Sequence, residues 1–284
     1  MITRLHELVE IAQENPPTRV AVAAAAHKLV LQSVQRAVER GLIIPLLIGI
    51  EQDIREQAAA IGWELTDEQI VPTSTNLAAA DAAVDLVRRG EAQVLMKGYL
   101  HTDEMLHAIL RHDTGLRTDR LLSHVFVLEV PTYHKLLLIT DAAININPDI
   151  PQKAAITQNA VDLARKLGVD VPKVAALSSV ETINPKIPST VHAACLHKMA
   201  ERGQIKGAIV DGPLAFDNAI SAEAARDKGI NSPVSGEVDV VVVPDLDAGN
   251  ILSKNLEYLA SAKMAGIVMG ASAPVVLTSR SDPP

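Results

Sequence analysis

Cysteine and aromatic residues are scarce in this chain of 284 residues. It contains one cysteine, Cys195, and aromatic side chains make up only 2% of the sequence. A single cysteine excludes an internal disulfide and a multi-cysteine zinc site, and it is typical of a reducing compartment. Since aromatic rings are few, the core must be built from small aliphatic side chains, as in α/β proteins with buried parallel strands.

Long apolar runs and a secretion signal are also missing. No apolar run approaches the roughly 20 residues that a transmembrane helix needs. The N-terminus carries Glu7 and Glu10 and lacks the basic start and apolar stretch of a signal peptide. We therefore expect a cytoplasmic protein with no membrane partner. The formal net charge of −8 opposes non-specific attraction to nucleic acid, so an anionic ligand must find a local positive site.

Strand-like apolar runs alternate with amphipathic helical stretches along most of the chain. Residues 19–25, 28–40 and 43–48 form a βαβ pattern. The apolar runs 121–130 and 135–140 are separated by only four residues, which predicts an antiparallel hairpin. We interpret the chain as two α/β lobes with a cleft between them and a boundary near this hairpin.

The ends of the predicted strands carry the residues that could bind a ligand, because ligands of open α/β sheets lie beyond the carboxyl ends of the strands. At the first such position Lys97 would face an anion, Gly98 would permit close backbone approach, and Thr102 is placed to cap a helix. The alternative is a solvated lysine before an ordinary cap. His101, His107 and His112 lie nearby, but spacings of six and five put no pair on one helical turn, and no acidic or cysteine partner is placed with them, so we predict surface histidines and no metal site.

A second strand end brings together Asp211, Asp217 and Asn218 before a helix capped by Ser221. Two carboxylates and an amide could act on a ligand, although aspartate and asparagine beside Gly and Pro are also common turn formers. Cys195 lies in a predicted helix with apolar neighbours, which favours a buried structural thiol over a nucleophile.

Two further strand ends complete the candidate positions. Gly249 lies in the first turn of a predicted helix and is followed by Asn250. Because glycine weakens a helix, close approach of a ligand could explain it. The C-terminal segment after residue 277 contains Ser279, Arg280 and Asp282, where Arg280 could hold phosphate with a bidentate fork. The alternative is a polar tail at a frayed terminus.

Three ordered motifs carry a family resemblance. They are Asp-Gly-Pro-Leu-Ala-Phe-Asp-Asn-Ala-Ile at 211–220, Ser-Pro-Val-Ser-Gly at 232–236 and Val-Pro-Asp-Leu-Asp-Ala-Gly-Asn at 243–250. Together they closely resemble the phosphate acetyl/butyryltransferase family, and the likeness extends over most of the chain. Met-Lys-Gly at 96–98 and Leu-Thr-Ser-Arg at 277–280 look more like the butyryl or branched-chain branch than the acetyl branch.

The resemblance implies a fold and an assembly. It implies a two-domain, three-layer α/β/α fold of the isocitrate/isopropylmalate dehydrogenase type, with an active site in the interdomain cleft, and a homodimer. By analogy, the discontinuous domain I comprises residues 1–125 plus 268–284, and domain II comprises residues 126–267.

The resemblance also implies site residues. Arg280 would hold phosphate, Ser279 would stabilise the reacting carbonyl, and Asp282 is the carboxylate left to act as general base. In the family that the chain resembles, further arginines bind phosphate or coenzyme A. Arg120 is the nearest match to these arginines, and Arg117 is the second. The expected substrate-binding positions are Lys97, Gly98, Thr102, Arg117, Arg120, Ser178, Asp211, Asp217, Asn218, Gly249 and Asn250.

The implied activity is that of a phosphate acyltransferase, converting a short-chain acyl-CoA and phosphate into acyl phosphate and coenzyme A by direct attack in a ternary complex. Butyryl or branched-chain groups would be preferred over acetyl, coenzyme A would be a substrate, and no cofactor would be bound permanently. The alternative is a weakened homologue that binds acyl-CoA or acyl phosphate as a sensor or partner subunit, which the early end at Pro284 would favour. A dehydrogenase is disfavoured, because no G-x-G-x-x-G follows a strand.

Overall fold

The computed structural model describes residues 2–277 and divides into two compact units. The N-terminal unit consists of residues 8–120 and 270–284, and the central unit consists of residues 1–7 and 121–269. Helices and strands occur in both, so the mixed α/β fold class predicted from the alternating pattern is confirmed.

The elements follow one another in this order. Up to residue 120 they are α1 (Leu5–Gln13), β1 (Thr18–Ala23), α2 (Lys28–Glu39), β2 (Ile43–Gly49), α3 (Glu51–Ala59), a 3-10 turn (Asp67–Gln69), β3 (Ile70–Pro72), α4 (Asn76–Arg88), β4 (Val94–Lys97) and α5 (Thr102–Leu110). Then come β5 (Ser123–Glu129), β6 (Leu137–Thr140), α6 (Ile150–Lys166), β7 (Lys173–Leu177), α7 (Pro188–Glu201), β8 (Ile209–Leu214), α8 (Phe216–Ile220), α9 (Ala222–Asp227), β9 (Val240–Val242), α10 (Leu246–Leu259), β10 (Lys263–Met269) and β11 (Val275–Leu277).

The N-terminal unit is built on parallel strands in the order β3-β2-β1-β4-β11. Val22, Leu31, Leu47 and Ile54 are buried at its core, which is mainly aliphatic as expected, with the ring of Trp63 packed against it. Because all these strands run in one direction, their carboxyl ends and the loops that follow them lie at one edge of the sheet.

The central unit contains the strand order β10-β5-β6-β9-β7-β8. The predicted hairpin is confirmed, since β5 and β6 pair antiparallel. β10 also pairs antiparallel with β5, whereas β6, β9, β7 and β8 are mutually parallel. The antiparallel β10 interrupts the α/β alternation, which sequence periodicity could not show because it does not report strand direction.

A buried ion pair holds the start of the hairpin's second strand in the central unit. Lys135 is 8% exposed, and its Nζ lies 2.7 Å from Asp239 Oδ1 and donates to the carbonyl of Glu237 at 2.7 Å. Asp239 in turn accepts the backbone N–H of Lys173 at 2.7 Å. Each charge is therefore compensated, as a buried pair requires.

We expect Lys135→Met to destabilise the fold strongly, because it leaves the Asp239 carboxylate buried without its counter-charge. Loss of one partner of a buried pair costs about 3–5 kcal/mol of unfolding free energy. The matched control is Lys198→Met, whose ion pair with Glu201 is exposed on both sides and is worth about 0–1 kcal/mol. Urea unfolding of both variants measures the difference, and equal losses would contradict this assignment.

Candidate active site

The C-terminal strand β11 ends beside Lys97 in the N-terminal unit. Lys97 closes β4, and the parallel register aligns it with Ala23 at the end of β1 and with Leu277 at the end of β11. The predicted catalytic residues Ser279, Arg280 and Asp282 lie outside the described residues. Leu277, the last described residue, ends β11 at the edge of the sheet beyond which ligands of open α/β sheets lie.

Lys97 is not the solvated lysine of the alternative interpretation. It is 3% exposed, and its ammonium group donates to the carbonyls of Gly98 and Leu100, at 3.2 Å each. Backbone carbonyl dipoles therefore hold the end of this side chain at the strand end. That interpretation was therefore wrong, because Lys97 is buried and hydrogen-bonded to the backbone at this edge.

Gly98 is required by the protein's own backbone. Its N–H donates to the carbonyl of Ala23 at 2.8 Å, and a Cβ at this position would lie 2.4 Å from the carbonyl oxygens of both Ala23 and Ala24. The close approach expected from the sequence thus exists, and the group that approaches is the end of β1.

Thr102 does not cap α5, contrary to the prediction. The N-cap is His101, whose backbone N–H donates to the Glu104 carboxylate at 3.0 Å, and Thr102 is the first helical residue. The helix starts there because a glutamate at the third helical position satisfies the N–H of the residue before the helix.

An aromatic pair at this edge was not predicted. His27 follows β1 and Tyr99 follows β4, and their rings stack in parallel with centroids 4.2 Å apart and planes within 3°. Sequence periodicity gave no signal for it, because the two loops meet only through strand pairing.

Arg117 and Arg120 are exposed in the loop that follows α5. The N–H of Arg120 donates to Thr118 Oγ1 at 3.0 Å, and that hydroxyl donates to the carbonyl of Gly270 at 2.6 Å. The two arginines therefore lie on a loop that is anchored next to the segment leading to β11.

In the central unit, Asp211 lies inside β8 rather than after it. The strand was expected to end before Asp211, but β8 continues to Leu214 and pairs with β7 up to that residue. Asp211 Oδ1 accepts the N–H of Gly212 at 2.8 Å and lies 3.3 Å from His197 Nδ1. Ser178 does follow a strand, and its hydroxyl pairs with that of Ser189 at 2.8 Å.

Asp217 and Asn218 belong to α8 and have different environments. Asp217 is exposed and lies 2.8 Å from Lys228 Nζ, whose hydrogen bond lowers the pKa of this carboxyl. Asn218 is fully buried, and its Nδ2 donates to Glu181 Oε2 at 3.3 Å. Its Oδ1 has no hydrogen-bond partner within the described part of the chain.

Gly249 is explained by packing within the protein itself. A Cβ there would lie 2.8 Å from Val243 Cγ2 and 2.9 Å from both Ala142 Cβ and the carbonyl of Asp141. Glycine is therefore needed so that α10 can pack against the segment after β6. Asn250 is exposed, and its amide points to the carbonyl of Ala142 at 3.4 Å.

Asp141 organises a polar cluster that the site prediction missed. Its carboxylate accepts the N–H groups of Ala143 at 2.9 Å, Ile144 at 3.1 Å and Asn145 at 3.2 Å. The side chain of Asn145 donates to this carboxylate at 2.6 Å and to the carbonyl of Leu122 at 2.8 Å. An aspartate whose side chain bonds to the following backbone is a known turn former, which is the signal that could have found it.

His124 is buried beside this cluster, and burial lowers its pKa to about 4, against the opposing charge of Asp141. Its Nδ1 has no partner among the described residues, and its ring packs edge-on against Phe126 with centroids 4.3 Å apart. Gly266 leaves room for it, because a Cβ there would lie 2.7 Å from Nε2. The imidazole is therefore neutral at pH 7.

The remaining candidate features give little support for a functional site. Cys195 is half-buried rather than fully buried. Within residues 2–277, no group of three or more His, Cys, Asp or Glu side chains could hold a metal ion. A cavity of about 560 Å³ beside Arg55 and Trp63 contains none of the predicted site residues. No helix in the described part of the chain is long and apolar enough to cross a membrane.

Comparison with known proteins gives a consistent result. The family model described as phosphate acetyl/butaryl transferase matches residues 73–283. The chain is 51% identical over 280 residues to a phosphate acetyltransferase of Rhizobium meliloti, covering 99% of this chain and 89% of that one. It is 42% identical over 282 residues to a phosphate butyryltransferase of Clostridium acetobutylicum, covering 99% and 94%.

Solved structures agree. A branched-chain phosphotransacylase from Enterococcus faecalis V583 superposes with a TM-score of 0.81 at 36% identity, covering 94% of this chain and 93% of that one. A 4-hydroxythreonine-4-phosphate dehydrogenase from Burkholderia phymatum has a TM-score of 0.51 at 14% identity, covering 94% and 91%. This second likeness shows the fold alone and supports the predicted dehydrogenase-like architecture.

The buried His124 predicts a pH dependence of stability. Its pKa in the folded protein, about 4, lies below the ordinary 6.5, so the unfolded chain takes up the proton first as the pH falls. The stability present above pH 6.5 should therefore decline between pH 6.5 and about 4, by about 3 kcal/mol from this group. Urea unfolding across this range should show a steeper loss for the wild type than for His124→Asn. If unfolding free energy falls equally with pH in the two proteins, the role of His124 is contradicted.

Proposed function

The chain belongs to the phosphate acetyl/butyryltransferase family, and we propose that it transfers a short-chain acyl group between coenzyme A and inorganic phosphate. One structural observation carries the proposal beyond the family likeness. β4 and β11 pair in parallel, with Lys97 opposite Leu277. The Met-Lys-Gly segment and the end of β11 at Leu277 therefore reach the same edge of the sheet, beside the buried Lys97 side chain.

The reaction that we propose is a direct transfer in a ternary complex. The coenzyme A thiol loses its proton to a base, and the thiolate attacks the acyl carbonyl of the acyl phosphate. Negative charge develops on the carbonyl oxygen, the new carbon–sulfur bond forms, and the bond to the phosphate oxygen breaks, releasing inorganic phosphate. In reverse, phosphate attacks the thioester and releases the thiol. The enzyme forms no covalent intermediate.

The proposed roles follow from charge and hydrogen bonding. Arg280 binds the phosphate group with two parallel hydrogen bonds, and Ser279 donates to the developing oxyanion. Asp282 is the proposed general base. Lys97 adds positive potential at this edge because its ammonium group is buried, and the exposed Arg117 and Arg120 offer further contacts to phosphate groups.

In the central unit, Ser178, Asp211, Asp217, Asn218 and Asn250 remain proposed substrate contacts. Asn218 has the best support, since its buried Oδ1 has no partner among the described residues and could accept a hydrogen bond from a substrate amide. Coenzyme A carries such amide N–H groups in its pantetheine arm.

The proposal includes the domain limits 1–125 with 268–284 and 126–267, which differ from the two compact units in residues 1–7, 121–125 and 268–269. It also includes a homodimer, a cytoplasmic location and the absence of a permanently bound cofactor. The family resemblance supports the domain limits, the homodimer and the absence of a permanently bound cofactor. The single cysteine supports the cytoplasmic location. No observation favours the sensor alternative over an enzyme.

Release of free thiol from acyl-CoA tests the activity. We expect release only when phosphate is present, and Arg280→Ala should lower kcat/KM by roughly 100-fold or more, because it removes the proposed phosphate ligand. The control Arg226→Ala removes an exposed arginine on α9 and should keep full activity. Unchanged turnover in Arg280→Ala, with an unchanged midpoint of thermal unfolding, would remove this assignment.

The acyl preference is tested with acetyl-, butyryl- and isobutyryl-CoA. The motifs at 96–98 and 277–280 and the likeness to a branched-chain phosphotransacylase support the longer chains. One methylene discriminates by roughly 1–3 kcal/mol, so kcat/KM for butyryl-CoA should exceed that for acetyl-CoA by at least about 10-fold. A higher value for acetyl-CoA would overturn the preference and agree with the relatives named phosphate acetyltransferase.

A further inference from the structure

The central unit contains two buried lysines with very different partners. Lys135 is 8% exposed and lies 2.7 Å from the Asp239 carboxylate, as described above. Lys153 is 4% exposed, yet no carboxylate of the described residues lies within 4.0 Å of its Nζ. A buried ammonium without a counter-charge is unfavourable, because desolvation is not offset by attraction to an anion.

The hydrogen bonds of Lys153 are also incomplete. Within residues 2–277, its Nζ has one hydrogen-bond partner, His192 Nδ1, at 3.0 Å. An ammonium group has three N–H donors, so two remain unused. If the lysine donates to Nδ1, the ring proton of His192 is on Nε2, which then becomes a second donor. His192 is only half-buried, so a ligand can reach this ring.

The two side chains lie at the edge of the sheet where ligands bind. Lys153 is in the first turn of α6, which follows β6, and His192 is early in α7, which follows β7. Both strands pair in parallel with β9, so their carboxyl ends share one edge. The helix N-termini at this edge add positive potential.

The nearby carboxylates are already engaged. Asp245 accepts the N–H of Ala248 at 2.8 Å as the cap of α10, and Asp149 accepts that of Gln152 at 2.8 Å as the cap of α6. Burial lowers the pKa of Lys153, with Asp245 acting in the opposite direction. The pKa of His192 is lowered as well, first by burial and then by the charge of Lys153. The cluster thus has unused donors, and no carboxylate of the described residues forms a direct ion pair with Lys153.

We propose that Lys153 and His192 form a subsite for a phosphoryl oxyanion in the central unit. The choice of ligand rests on the proposed function, since phosphate, acyl phosphate and coenzyme A all carry phosphoryl oxygens. The ammonium Nζ and the imidazole Nε2 each donate to one oxygen, and the anion supplies the counter-charge that Lys153 lacks.

Binding of inorganic phosphate to the full chain tests the subsite directly. We expect calorimetric titration to show that Lys153→Met weakens phosphate binding by roughly 10- to 100-fold relative to wild type, as loss of a charge-assisted hydrogen bond predicts. The control Lys198→Met removes an exposed lysine of α7 and should bind phosphate as the wild type does. Equal affinity of Lys153→Met and wild type would overturn the proposal.

A stability measurement separates this role from a structural one. Without phosphate, Lys153→Met should unfold at the same or a higher urea concentration than wild type, because it removes an uncompensated buried charge. A strong loss of stability, as expected for Lys135→Met, would show that Lys153 is a structural group and would overturn the subsite.

Kinetics then identify which phosphoryl group is bound. A raised KM for phosphate with an unchanged KM for acyl-CoA, in both Lys153→Met and His192→Gln, assigns the subsite to phosphate or acyl phosphate. A raised KM for acyl-CoA alone assigns it to coenzyme A, and no change in either would overturn it. If the wild type shows no turnover but Lys153→Met still loses phosphate affinity, the proposed function fails while the subsite stands.

Discussion

Parallel pairing of β4 between β1 and β11 is the constraint on which the N-terminal unit depends. It aligns Ala23, Lys97 and Leu277 at one strand end, although they are far apart in the sequence. Backbone hydrogen bonds from the Gly98 segment to the end of β1 hold the loop after β4. Any side chain at Gly98 would collide with the carbonyl oxygens of Ala23 and Ala24. The loop after β4 is therefore held in a fixed position next to the end of β1.

Burial of positive charge is the second constraint, and the protein meets it in three ways. The Lys97 ammonium donates to backbone carbonyls, and the Lys135 ammonium pairs with a carboxylate. Among the described residues, the Lys153 ammonium has only one hydrogen-bond partner, a neutral imidazole nitrogen. Because each buried charge must be compensated, the third arrangement is the one that an anionic substrate would complete. The three lysines therefore differ in role because the groups that surround their ammonium groups differ.

The structure changes the interpretation of several candidate site residues, because it shows which neighbouring elements they contact. Gly249 looked like a point of ligand approach, but it allows α10 to pack on the Asp141–Ala142 segment. Thr102 looked like a cap, but Glu104 moves the cap to His101. Sequence motifs find such positions because they are unusual, and they do not show whether the contact is with a ligand or with the protein itself.

The sequence by itself determined the α/β class, the hairpin at β5 and β6 and the family, since hydrophobic periodicity, short turns and ordered motifs are local properties of the chain. Tertiary structure decided which polar residues are buried and what satisfies them. The neutral His124 and the pair of Lys153 with His192 depend on contacts between distant segments. Burial and pKa follow from those contacts, so no local pattern could have given them.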